Sequence, residues 1–471
     1  MTPTISSVSA APAAPAAARA PNASISAWYG LVILIIATLF SFVDREVLSL
    51  TAEPLRRSLG LSDTQLGLLQ GVGMAFFAGI ASLPVAYLAD HFGRRVVLVA
   101  AVLIWSASAI GCGAARDFNE LMLATACLGI GQAGLSPIVF GLIPDLFPPH
   151  QRILANTLYS LVATLGAALG LTVGGPLVTH VDEIRHLFPA ALQALEGWRL
   201  SFFVVGLPGP LMALLILTMR MRRGAHAEAA ETHGEGAGSD GAQRIGTVMY
   251  IRTQMRTVVG LFGSFGLVGF GFGAIGGWSP IIAARTFGAT PTEVGQGLAA
   301  AMAVGTVIGA VLAAPTARWM GPRIGLATPL RLIGWGLVVA TPLCLLLPFV
   351  PSAAAMFTLI GIQVTTVTIG SLLFATAMQD VSPPYLRSQV LAIGKIVTLL
   401  FATGSPIAVG LLSDALHESP RGLLIAMSIV ATVGLGSGGL LMRWAERPFA
   451  ETVRRFTAEP SIGGEKLEAK P

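Results

Sequence analysis

Charged residues are scarce in this sequence: Asp, Glu, Lys and Arg fill 11% of its 471 positions, while 54% are hydrophobic. Soluble domains carry about 25% charged residues. A chain this long with that shortage cannot cover a water-facing surface, so lipid must be the solvent for much of it. Cysteine is nearly absent too. Cys112, Cys127 and Cys344 each sit inside an apolar run, and neither a disulfide framework nor a CxxC metal motif is visible. No Walker-type glycine loop occurs, which leaves ATP-driven pumping without support, and no nucleophile elbow or His/Cys spacing suggests an enzyme, a metal or a cofactor. A net charge of +5 is modest, and no nucleic-acid partner is expected. The amino-terminal stretch is rich in Ala, Pro and Ser but lacks the basic start and apolar core of a signal peptide. Residues 1–24 read as a disordered cytoplasmic tail.

Long apolar runs are abundant. Stretches long enough to cross a bilayer fall at approximately 28–52, 64–88, 95–114, 120–144, 153–178, 198–220, 256–284, 293–315, 326–348, 353–378, 388–412 and 421–444. The expected fold is therefore an all-α membrane protein of twelve transmembrane helices in two six-helix bundles. The first bundle covers residues 25–222 and the second 253–446. Between them lies a polar cytoplasmic linker, 223–252, with Glu228, Glu231, Glu235 and Asp240, and a cytoplasmic tail covers 447–471. Arg94, Arg95, Arg152, Arg222, Arg223, Arg252, Arg256, Arg318 and Arg323 gather on one side. Arg56, Arg57, Arg116, Arg185 and Arg285 make a smaller set on the other. The bias toward cytoplasmic cations places both termini inside, in a bacterial-type inner membrane. The halves echo each other. Asp145-Leu-Phe-Pro148-Pro149-His-Gln-Arg152 after the fourth span matches Asp380-Val-Ser-Pro383-Pro384-Tyr-Leu-Arg387 after the tenth. Such duplicated bundles build a binding site at the repeat interface near mid-membrane.

Few residues are placed to carry a mechanism. Asp44 and Arg45 lie well inside the first span, where an ionised group costs a few kcal/mol unless it pairs or faces water. Neighbours on a helix point about 100° apart, so the two seek partners on other helices. Asp44 is the candidate protonatable coupling group, with Arg45 as its partner or the anchor of an anionic headgroup. Lys395 is a further buried cation. With Gln132, Gln363 and Thr366 it is a candidate for the cavity lining, and Trp278 stands near the outer end of span seven. A conformational latch is expected at the turn after span two, Ala86-Tyr-Leu-Ala-Asp90-His-Phe-Gly93-Arg94-Arg95. Gly93 permits the turn and Asp90 pairs with neighbouring cations, joined by Asp145 and Arg152.

That turn resembles the G-x-x-x-D-x-x-G-R-R loop of the major facilitator superfamily, with Ala86 in place of the first glycine. Within the superfamily, residues 25–445 resemble the spinster branch. The marks are Asp44-Arg45, the run Leu59-Gly-Leu-Ser-Asp-Thr-Gln65, and Arg387-Ser388, Gly404-Ser405-Pro406 and Gly410-Leu-Leu-Ser-Asp414. The resemblance implies a proton-linked transporter associated with lysophospholipids and sphingosine-phosphate-type lipids, with Asp44 as proton acceptor and Arg45 as its regulator. The branch's Arg and Glu in span four fall at Thr125 and Gln132, so this chain lacks that charged pair.

The chain is therefore expected to be a secondary transporter working by alternating access, not an enzyme. Its expected partners are protons, the lipid bilayer and a small or amphipathic solute, such as an anionic or zwitterionic lysolipid. A small organic anion (a sugar acid or aromatic acid) is the alternative solute, and a non-transporting membrane receptor is the rival class.

Overall fold

The structure, a computed structural model, describes residues 24–219, 247–371, 377, 381 and 387–458. Among the described residues all regular structure is helical. Eleven segments are long and apolar enough to cross a membrane, and one of them, Pro291–Phe349, contains two helices. The twelve expected spans are therefore present. They are α1 Ile25–Leu50, α2 Asp63–Phe92, α3 Arg94–Ala114, α4 Phe118–Leu146, α5 Pro149–His180 and α6 Gly197–Thr218 in the first bundle. The second bundle holds α7 Met255–Phe287, α8 Pro291–Ile324, α9 Thr328–Leu346, α10 Ala353–Ser371, α11 Arg387–Ala415 and α12 Gly422–Ala458.

Local chemistry sets where several of these helices start. Ser62 accepts from the Gln65 amide while the Gln65 side chain accepts from the Ser62 amide, a reciprocal cap that begins α2. Thr290 and Glu293 do the same for α8, and Asp117 accepts from the Glu120 amide at the start of α4. Within α2, residues Leu69–Phe76 form a π-helical segment. A wide turn of this kind re-aims side chains and is common at functional positions.

The last helix runs further than the apolar pattern predicts. A tail is expected from residue 447, but α12 stays helical to Ala458. Ala445, Phe449 and Val453, four residues apart, are buried, and Glu446 accepts from Arg331 at 2.6 Å. One apolar face and one ion pair thus carry the helix past the hydrophobic window. The linker differs likewise at its end, where Thr247–Thr253 forms a short helix before α7. The expected amino-terminal tail through residue 23, most of the linker, and Asp380, Pro383 and Pro384 of the repeat lie outside the described residues.

Contacts between the bundles follow α2 against α11 and α5 against α8. The backbones meet closely: a Cβ on Gly67 or Gly71 would collide with the carbonyl of Pro406 or Thr403. Glycine at these two places lets the helices touch without side chains between them.

Candidate functional site

Between the bundles lies a cavity of about 250 Å³, lined by Arg45, Glu46 and Ser49 of α1, Gln70 and Met74 of α2, and residues of α7 and α11. Helix geometry sorts the charged residues of α1. Arg45 and Ser49 are four apart and share a face, and Glu46 flanks it, so all three reach the cavity. Asp44 points the other way, into the first bundle, and has no exposed surface. Gln132 Nε2 donates to Asp44 Oδ2 at 3.1 Å, and the indole of Trp105 stands beside the same carboxyl. The other oxygen, Oδ1, is buried without a hydrogen-bond partner. The π segment of α2 presents Gln70 and Met74 to the cavity, and Ser49 Oγ donates across the bundles to the carbonyl of Gly277 at 3.3 Å.

One end of the cavity is closed by a polar cluster. Arg285, near the end of α7, donates to both carboxylate oxygens of Asp63 at 2.8 Å each and to Glu53 Oε2 at 2.8 Å. Ser413 Oγ donates to Asp63 Oδ2 at 2.7 Å. Asp414 accepts from the amides of Asp63 and Thr64 at 3.0 and 2.9 Å, so a carboxylate of the second bundle caps a helix of the first. Glu53 stands in the short helix Ala52–Leu59 outside the spans. Burial alone would raise its carboxyl, but hydrogen bonds and charge from Arg56 and Arg285 outweigh burial and hold it below the usual carboxylate range. Thr179 of α5 adds a tie to Thr292 of α8, with hydroxyl oxygens 2.9 Å apart.

At the opposite end Gly93 adopts φ of 92° between α2 and α3, a conformation that favours glycine. Arg94 Nη1 meets Asp145 Oδ2 at 3.1 Å and also donates to the carbonyl of Gly141, while Nη2 reaches Asp90 Oδ1 at 3.5 Å. Arg152 donates to the carbonyls of Phe147 and Pro144 at 3.0 and 3.2 Å. The structure thus gathers Asp90, Arg94, Asp145 and Arg152 around one turn, and these described partners all belong to the first bundle. Arg95 is half-buried with an unpartnered Nε.

The cavity candidates divide. Arg45 lines the cavity, and Gln132 meets Asp44 instead of the cavity. Gln363, a candidate for the cavity lining, is not among the residues that line this cavity. It is fully buried, its amide faces Cys344 Sγ at 3.3 Å, and Thr366 donates to its backbone carbonyl. Gln363 thus packs against α9 inside the second bundle, and Thr366, half-buried, is not among the residues lining this cavity. Trp278 is likewise enclosed, its indole donating to the Pro406 carbonyl at 3.2 Å. Lys395 lies on α11, but its side chain is outside the described residues. Thr125 is fully buried and donates to the Leu121 carbonyl. Glu46 was missed: it is a third charge in the same apolar run, and its adjacency to Asp44-Arg45 was the available signal.

Two six-helix bundles around a charged cavity define a multi-pass membrane transporter. The family model of the Major Facilitator Superfamily matches residues 34–406, and the chain belongs to that superfamily. Within it the chain resembles the spinster branch. A crystal structure of a bacterial homologue of the human lysosomal transporter Spinster, inward-facing and unoccupied, shares its fold with a TM-score of 0.71. Identity is 23%, covering 94% of this chain and 100% of that one. The sphingosine-1-phosphate transporter SPNS2 of Mus musculus is 25% identical over 413 residues, 83% of this chain and 70% of that protein. Puromycin resistance protein pur8 of Streptomyces alboniger is 36% identical over 177 residues, a match that spans 37% of this chain and only 35% of that protein.

Proposed function

We propose that this protein is a proton-coupled secondary transporter of an amphipathic solute with a charged headgroup, working by alternating access. The observation that carries the reading is the state of Asp44. It is fully enclosed, accepts from Gln132 with the Trp105 indole beside it, leaves Oδ1 without a partner, and adjoins the cavity-facing Arg45. An enclosed carboxyl with an open oxygen beside the solute site is suited to take and release a proton as the bundles move. Arg45 then senses the same carboxyl and the headgroup in turn.

Arg45 and Glu46 give the cavity one guanidinium and one carboxyl, which suits a zwitterionic or anionic headgroup. The similarity to a protein named as a sphingosine-1-phosphate transporter supports an amphipathic solute. With the Gly93 end cytoplasmic, as the arginine bias indicates, the Arg285 cluster closes the outer side. This conformation is then inward-facing, with both termini inside and the chain in an inner membrane. The latch role of Asp90, Gly93, Arg94, Arg95, Asp145 and Arg152 belongs to the opposite half of the cycle. A small organic anion is the second reading, favoured by the modest cavity volume of about 250 Å³.

Proteoliposomes test both. Uptake of a labelled lysolipid that accelerates with an imposed pH gradient supports the proposal. Gradient-driven uptake of sugar or aromatic acids, with no lysolipid movement, supports the second solute. Binding of either without counterflow would make the protein a receptor and end the transport reading.

A further inference from the structure

A larger cavity than the central one lies outside the transport site. It has a volume of about 730 Å³ and sits where the start of α7 meets the last turns of α12. Because α7 finishes at the Arg285 cluster, this cavity is at the other end of the bundle, beside the break at Gln254 between Thr247–Thr253 and α7. Three exposed arginines line it, Arg252, Arg256 and Arg447, with a single carboxylate, Glu451. None of the three guanidinium groups has a carboxylate or carbonyl partner among the described residues. Elsewhere the described arginines are often bound: Arg94, Arg185, Arg285 and Arg331 all hold carboxylates.

The floor of the cavity is rigid. Thr257 and Thr452 are each 2% exposed, their hydroxyl oxygens stand 2.8 Å apart, and Thr452 also reaches Gln254 Oε1 at 2.9 Å. The rim is apolar on the bilayer side, where Trp444 and Met255 are about half exposed at the edges of their spans. Trp at a span edge marks the headgroup level of a membrane. Arginines, a fixed polar floor and an interfacial aromatic therefore meet at the depth of lipid phosphates.

We infer that this cavity binds the phosphate headgroup of an anionic phospholipid, with Arg252, Arg256 and Arg447 around the phosphate and Trp444 against the upper acyl chain. Basic pockets between membrane helices take anionic headgroups in this way, and guanidinium forks match phosphate oxygens. Joining α7 to α12 through a bound lipid ties together two helices of the second bundle at the end that must open and close.

The test uses the full chain in neutral detergent, with thermal unfolding followed during titration by short-chain phosphatidylglycerol, short-chain phosphatidylcholine and inorganic phosphate. Phosphatidylglycerol is expected to raise the unfolding temperature saturably while the other two do not. Replacing all three arginines (Arg252→Gln, Arg256→Gln, Arg447→Gln) is expected to weaken that binding by about a hundredfold. Glu451→Gln, an exposed change that spares the fold, is expected to tighten it by about threefold. Equal stabilisation by phosphatidylcholine, or by inorganic phosphate, would overturn the lipid assignment. So would a phosphatidylglycerol response indifferent to both the arginine and the Glu451 changes.

Discussion

Arg285 of the second bundle holds both carboxylate oxygens of Asp63 in the first, each at 2.8 Å, and the same guanidinium donates to Glu53. This bidentate pair is one fastening across the closed end. Its removal leaves two enclosed carboxylates facing each other. Arg285→Ala should therefore destabilise the closed end by about 2 kcal/mol, once partial exposure is discounted. Spin labels at Ser58 and Glu418, both exposed at that end, should report longer distances in the variant. Exchanging the charges, Asp63→Arg with Arg285→Asp, should recover part of the short-distance population. A double variant no better than the single would show that the pair does not set the closed state.

The pH response of this end has a definite sign. Glu53 is held below the usual carboxylate range, because Arg56 and Arg285 outweigh the effect of burial. Its contribution to closure is complete above the ordinary glutamate value of about 4.3 and fades as pH falls through the depressed value. In an Asp44→Asn background, the Ser58–Glu418 distance should stay short from about pH 7.5 to 5 and lengthen only below the ordinary glutamate range. Lengthening already near neutrality would assign the transition to another group.

Gln132 donates a hydrogen bond to Asp44 from a neighbouring helix, at 3.1 Å. Gln132→Leu leaves the carboxyl without it while preserving bulk. Gradient-driven uptake should drop by about tenfold, the worth of one such bond, with counterflow at fixed pH nearly unchanged. Equal losses in both assays would make Gln132 a packing residue.

The approach of α2 to α11 leaves no room for a side chain at Gly67, since a Cβ there meets the Pro406 carbonyl. Gly67→Val should cost the closed state about 2 kcal/mol through overpacking and slow transport in every mode. Short Ser58–Glu418 distances retained in this variant would contradict the role of that contact.

Much of the architecture was legible in the sequence because a bilayer imposes long apolar windows, and all twelve spans emerged from them. Asp44 was legible for a related reason: ionic groups at that depth are rare. What escaped is information that lies between helices. Asp63 and Arg285 are 222 positions apart, and no periodicity links them. Glu46 stands two residues after Asp44, about 200° around the helix, so it faces the cavity while Asp44 turns away. Gln363 and Trp278 looked like lining residues, yet helix rotation buries both among neighbours of their own bundle. The extension of α12 was hidden because the pattern of Ala445, Phe449 and Val453 falls beyond the apolar window.

In the proposed cycle Asp44 carries the proton that couples to solute movement. The direct test is labelled-lysolipid transport in proteoliposomes containing the Asp44→Asn protein, measured as gradient-driven uptake and as counterflow without a gradient. Counterflow that persists while the response to the pH gradient disappears is the predicted result. Uptake that still follows the imposed gradient in the Asn variant would contradict it.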